Sequence, residues 1–172
     1  AKDMSDIGAI VPIERDDQGR VVMLDQTQLP AREIYHAYER AEQVADAITT
    51  MVIRGAPAIG VAAAMGLALG ARSLQVSSFR EGYAALCEQM AATRPTAVNL
   101  FWAIDRMTTL VDGWTSDHSG LLDALDAEAE AIRVEDIAIN RAMGANGAEL
   151  IPDGARILTH CNTGSLATAG YG

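Results

Sequence analysis

Three short stretches place polar or small residues where a helix is expected to begin, and each could take part in chemistry on an anion. The first is Arg54-Gly55-Ala56-Pro57. Pro57 suits the first turn of a helix, and Gly55 and Ala56 leave room for a ligand to approach the backbone. Arg54 is either a fork for a phosphate or hydroxyl or an ordinary surface arginine beside a helix start. The second is Arg94-Pro95-Thr96, with Thr96 read as an N-cap and Arg94 at the mouth of that helix, either facing a ligand or holding a rim salt bridge. The third runs from Thr159 through His160, Cys161, Asn162, Thr163 and Gly164 to Ser165. Cys161 is expected just past a strand and before a helix, where the helix dipole would favour a thiolate able to act as base or nucleophile. The alternative is a small cysteine packed under a sheet. Cys87, on an apolar helical stripe, reads as core.

The elements that must position these loops follow from periodicity. Apolar runs at residues 10–13 and 21–24 flank Asp16, Asp17, Gln18 and Gly19 and predict a β-hairpin, with a further short strand or turn at 33–36. Val44, Ile48, Met51 and Val52 share one helical face. Residues 58–74 are apolar all round, as in a helix buried on most sides. Gly60, Gly66 and Gly70 within it make sense if neighbours pack closely. Ser78 and Glu81 have capping-box spacing ahead of a stripe of Phe79, Tyr83, Leu86, Cys87 and Met90. A further helix from Thr96 turns Leu100, Ile104, Met107 and Val111 inward. A long acidic helix over 119–145 carries Leu121, Leu125, Ile132, Ile139 and Met143, with Gly144 and Gly147 at its end. After Pro152, Asp153 and Gly154, residues 156–159 read as a buried strand and 161–172 as a turn entering a helix. The expected fold is therefore α/β. A mainly helical unit with a small β-hairpin, residues 1–150, precedes the first strand-turn-helix of a Rossmann-like parallel-sheet domain at 151–172, which reads as incomplete.

Composition narrows the function. In 172 residues, 23 Asp and Glu against 13 Lys and Arg give a formal net charge of −10. That argues against a nucleic-acid surface and against docking on an anionic membrane. A small phosphate remains accessible where a few arginines and helix N-termini converge. Two cysteines are too few for a disulfide framework, and no metal-ligand spacing links them to His36, His118 or His160. The start shows no basic-then-apolar signal pattern, and residues 56–71 are rather short for a membrane span, so a cytoplasmic protein is expected.

Arg54-Gly55-Ala56-Pro57-Ala58-Ile59-Gly60, Arg94-Pro95-Thr96-Ala97-Val98-Asn99-Leu100 and Thr159-His160-Cys161-Asn162-Thr163-Gly164 together resemble the motifs of the methylthioribose-1-phosphate isomerases. Leu24-Asp25-Gln26 and the run from Glu135 through Asn140 to Gly147 add to the likeness, which follows the front half of the family's length. The resemblance implies a methionine-salvage enzyme converting an aldose phosphate to a ketose phosphate. It also implies a helical domain followed by a Rossmann-like one, typically in a homodimer, with no cofactor and no metal. It makes Cys161 the catalytic cysteine and puts Arg54, Gly55, Ala56 and Arg94 at substrate-binding positions. The family's catalytic aspartate and a substrate-binding Asn-Lys pair would lie beyond Gly172, in a C-terminal half. Two rivals share the scaffold: a sister isomerase such as ribose-1,5-bisphosphate isomerase, and the non-catalytic regulatory subunits of the eukaryotic translation-initiation exchange factor. Agreement at all three loops favours the methylthioribose substrate and catalysis.

Overall fold

The computed structural model describes residues 10–172. The absence of a signal pattern at the very start, and the first part of the 1–150 unit, lie outside them. Three antiparallel strands, β1 (Ile13–Arg15), β2 (Val21–Leu24) and β3 (Tyr35–Tyr38), form one sheet in the order β1-β2-β3. The expected hairpin is present, with Ile13 opposite Met23, but its first strand starts three residues later than the apolar run suggests. The Asp16 carboxylate takes the N–H groups of Gln18 and Arg20, and Gly19 supplies a positive φ of 77°, so the turn is closed by its own side chains.

Five helices follow: α1 (Ala41–Thr49), α2 (Ala56–Ala71), α3 (Phe79–Thr93), α4 (Val98–Gly113) and α5 (His118–Ala148). The apolar helix α2 is the axis of the bundle, packed by α1, α3, α4 and α5 and touched by β1 and β2. Its glycines are where neighbours come close. A methyl group at Gly66 would sit 2.8 Å from Val44 Cγ1, and one at Gly60 would sit 2.9 Å from the Asn99 carbonyl oxygen. Side chains can yield at Gly66, but at Gly60 the obstacle is the backbone of α4. Gly60→Ala should therefore destabilise by about 1–3 kcal/mol despite its better helix propensity. Denaturant unfolding checks this; a variant at least as stable as the parent would show that α4 does not press on α2 there.

Several expected details shift for local reasons. Met51 is not on the face of α1. The helix ends at Thr49, and Met51 takes a left-handed φ of 62° while its N–H bonds Ile48 O and the Val52 N–H bonds Ala47 O. This is a Schellman closure with methionine in the place glycine usually fills. Ser78 does sit at the N-cap of α3, but its side chain makes no capping hydrogen bond. α4 starts at Val98 rather than Thr96, because Ala97 N–H closes a turn onto Arg94 O and delays the helix.

α5 runs through Gly144 and Gly147 to Ala148. Its acidic face is paired with arginines of other elements: Asp126 with Arg15 and Arg72, and Glu128 and Glu135 with Arg106. Leu121, Leu125 and Ile132 are buried as expected, whereas Ile139 and Met143 are 62% and 61% exposed. Ile139 and Met143 instead face α2 and α4 across an open cleft.

The largest departure follows α5. Residues 155–160 form no strand, and Ile157 and Leu158 are exposed rather than buried. A parallel strand forms only against a hydrogen-bonding neighbour, and among the described residues none lies beside this segment. The expected helix after Cys161 is likewise absent; a single 3-10 turn, Ser165–Ala167, stands there and packs against α2. Among the described residues the architecture is a helix-rich α/β arrangement with one small antiparallel sheet.

Candidate active site

Two loops more than a hundred residues apart meet at the N-terminal end of α2. The Schellman closure at Met51 turns the chain toward α2, and Val52 O accepts the Gln26 N–H at 2.9 Å, so Arg54 is presented from a fixed corner. Gly55 is the N-cap, with φ 104°. Its bare α-carbon is required on two counts: that φ disfavours a side chain, and a methyl there would lie 2.5 Å from Ala167 Cα. Glycine thus lets the Ser165–Ala167 turn press directly on the start of α2. Ala56 is the first residue of α2 and is exposed. No side chain caps the helix, which leaves first-turn N–H groups for a ligand.

The second loop is held from two sides. Gln26 Nε2 donates to Leu166 O at 2.7 Å, and Ala169 N–H donates to Asp136 Oδ2 at 2.7 Å. Ahead of these anchors Cys161 is exposed and takes a left-handed φ of 67°. For a residue other than glycine this costs about 1–3 kcal/mol and is most often retained where a side chain must be aimed. Arg54 Nη2 donates to Asn162 Oδ1 at 3.3 Å. Arg54, Cys161, Asn162, Thr163, Leu166, Gln26 and Leu29 line one open cleft of about 450 Å³. Among the described residues Arg54 is the one charged side chain in that lining.

Arg94 is not brought into this cleft. It ends α3 with its Nη1 buried and without a hydrogen-bond partner among the described residues. A buried unsatisfied donor costs about 1–3 kcal/mol. With no helix after Cys161, the dipole expected to favour its thiolate is not present. Cys87 is half-buried in contact with Thr108, and burial pushes its thiol up, as suits a structural cysteine.

Gln26, Leu29 and Leu166 are the cleft residues that spacing could not single out. Gln26 owes its place to Asp25, which is buried and caps the turn Gln26–Gln28. Burial alone would raise the Asp25 carboxyl, but hydrogen bonds from the Thr27 hydroxyl and amide and from His36 outweigh it and hold the carboxyl below its ordinary value. A depressed carboxyl contributes stability that is present above the unfolded-state value and is lost as pH falls through the folded one. Asp25→Asn should therefore flatten the loss of stability as pH falls below the ordinary carboxylate range. An unchanged acid limb in denaturant melts would mean Asp25 is not held this way.

A second cavity, of about 460 Å³, lies between α2, α4 and α5, with Val61, Val98, Trp102, Ile139 and Met143 on its apolar wall. Among the described residues no group of three or more His, Cys, Asp or Glu could hold a metal ion, and no helix is long and apolar enough to cross a membrane.

Known proteins are similar to this chain over most of its length. Residues 52–169 match the Initiation factor 2 subunit family. The methylthioribose-1-phosphate isomerase of Syntrophotalea carbinolica is 56% identical over 95% of this chain and 48% of its own length. The crystal structure of 5-methylthioribose 1-phosphate isomerase from Pyrococcus horikoshii superposes with a TM-score of 0.86 at 41% identity, covering 94% of this chain and 46% of that one. The translation initiation factor eIF-2B subunit delta from A. fulgidus superposes at 0.80 with 39% identity, covering 92% and 47%. The chain spans about half the length of the relatives it matches. With 118 of its 172 residues inside the family's span, from Val52 at the corner before Arg54 to Ala169 at the Asp136 anchor, the chain belongs to the Initiation factor 2 subunit family.

Proposed function

We propose that this chain forms the front half of an aldose–ketose isomerase that converts 5-methylthioribose 1-phosphate to 5-methylthioribulose 1-phosphate in methionine salvage. The observation that carries the reading is the meeting of the Arg54 and Cys161 loops in one cleft beside the uncapped start of α2. An arginine and a helix N-terminus suit a phosphate, and an exposed thiol beside them suits work on the adjacent sugar carbons.

The substrate dictates the rest. Its anomeric oxygen carries phosphate, so the ring does not open through a free hemiacetal. Opening needs a proton delivered to the ring oxygen as its bond to C1 breaks. Hydrogen then passes from C2 to C1 while the C2 hydroxyl loses its proton, leaving a ketone at C2 and a CH2 phosphate at C1. The oxidation at C2 balances the reduction at C1 within one molecule. Cys161 either relays the C2 proton as thiolate or orients the opened chain for hydride shift. Arg54 and the N–H groups at Gly55 and Ala56 keep the phosphate in place, and Arg94, outside this cleft, takes no part in that grip. In this reading the ring-opening acid is an aspartate of a C-terminal, Rossmann-like half, so the 172-residue chain alone turns nothing over.

The similarity to an initiation-factor subunit favours one other reading, an assembly protein without turnover. Incubating the full-length protein with 5-methylthioribose 1-phosphate, and separately with ribose 1,5-bisphosphate, distinguishes these readings by the ketose formed. Ketose from the methylthio sugar alone is expected. Ketose from the bisphosphate alone points to the sister enzyme, and none from either to the assembly reading. Turnover by the 172-residue chain alone would contradict the division of catalytic groups.

A further inference from the structure

The anchor opposite the cleft has no part in binding or chemistry as described so far, yet it holds the Cys161 loop. Ala169 is fully buried, and its N–H meets Asp136 Oδ2 at 2.7 Å. The other carboxylate oxygen of Asp136 accepts from Asn140 Nδ2 at 3.1 Å, one turn on along α5, which fixes the side chain's rotamer. The neighbouring contacts point the same way: a methyl on Gly170 would be 3.6 Å from Ile137 Cδ1, and Arg141 lies over the Tyr171 ring at 4.6 Å. Among the described residues, polar fixing of the turn from Ser165 to Ala169 by other elements therefore comes from two groups, Gln26 on the cleft side and Asp136 behind. Thr168 Oγ1 only closes the turn on itself, donating to Ser165 O at 3.3 Å.

We infer that Asp136 is a positioning residue that, through the Ala169 amide, sets where the Cys161 loop stands against Arg54. This rests on the isomerase reading for its catalytic consequence but not for its structural one. A carboxylate–amide bond is among the stronger hydrogen bonds, and a small displacement of a reacting group lowers turnover far more than binding. Asp136 lies on α5, away from the residues lining the cleft, so its loss should act through the loop.

The test uses the full-length protein. In the wild type, the Ala169 amide should be protected from hydrogen exchange at least ~10-fold over a free chain. Asp136→Ala should lose that protection, change the Cys161 alkylation rate by about 5-fold, and lower kcat about 10-fold with KM within about 2-fold. Asp136→Asn keeps an acceptor oxygen and should recover most of all three. Glu135→Gln, one residue away and facing Arg106, should leave them unchanged. An unprotected Ala169 amide in the wild type overturns the inference even if Asp136→Ala does not fold. So does an Asp136→Ala protein with native exchange and native Cys161 labelling. A wild type without isomerase activity whose exchange and labelling still depend on Asp136 would sink the isomerase reading and leave this inference standing.

Discussion

Gly55→Ala should separate the two halves of the cleft. The substitution meets two obstacles at once: a backbone φ of 104° and a neighbouring backbone, with Ala167 Cα 2.5 Å and Ala167 O 2.8 Å from the added methyl. Neither can be relieved by a side-chain rotation. Strain of about 1–2 kcal/mol adds to overpacking of about 1–3 kcal/mol, so a loss of about 2–5 kcal/mol is expected in denaturant unfolding. In the full-length protein the turn would be pushed off α2 and turnover should fall about 100-fold. Gly113→Ala is the control. A methyl there meets nothing within 4 Å, and stability should hold or rise by up to about 1 kcal/mol. Equal effects of the two substitutions would mean that the contact between Ala167 and α2 is not what Gly55 serves.

Cys161→Ser should leave the fold intact and remove the activity. The side chain is exposed, so its replacement creates no cavity, and the melting temperature should stay within about 2 °C. A serine hydroxyl is a much weaker acid than a thiol, and loss of a positioned base is worth about 100- to 10,000-fold in kcat. Steady-state kinetics on the full-length variant give the answer. Near wild-type turnover would exclude Cys161 from the hydrogen transfer.

The parts of this molecule legible in the sequence are those governed by short-range rules. The apolar stripes of α3 and α4, the all-round burial of α2 and the turn at Gly19 follow from period and turn chemistry. The Arg54 and Cys161 loops could be singled out by residue type, but nothing in either predicts the other across more than a hundred residues; family resemblance linked them. What stayed hidden depends on neighbours. Met51 leaves the face of α1 because a left-handed closure ends the helix. Ile139 and Met143 stay exposed because they face α2 and α4 across an open cleft instead of packing against them. Residues 156–159 have a strand's composition but no ladder to join. Gln26 and Asp136 matter through single long-range hydrogen bonds, which leave no periodic trace.

In the proposed isomerase, Arg54 and Cys161 face one bound sugar phosphate. The most direct test is the alkylation rate of Cys161 in the full-length protein, mapped by peptide mass, with and without 5-methylthioribose 1-phosphate. At least about 10-fold protection by the substrate is expected in the wild type, and weaker protection at the same concentration in Arg54→Ala. Cys161 that is alkylated equally fast at saturating substrate would contradict it.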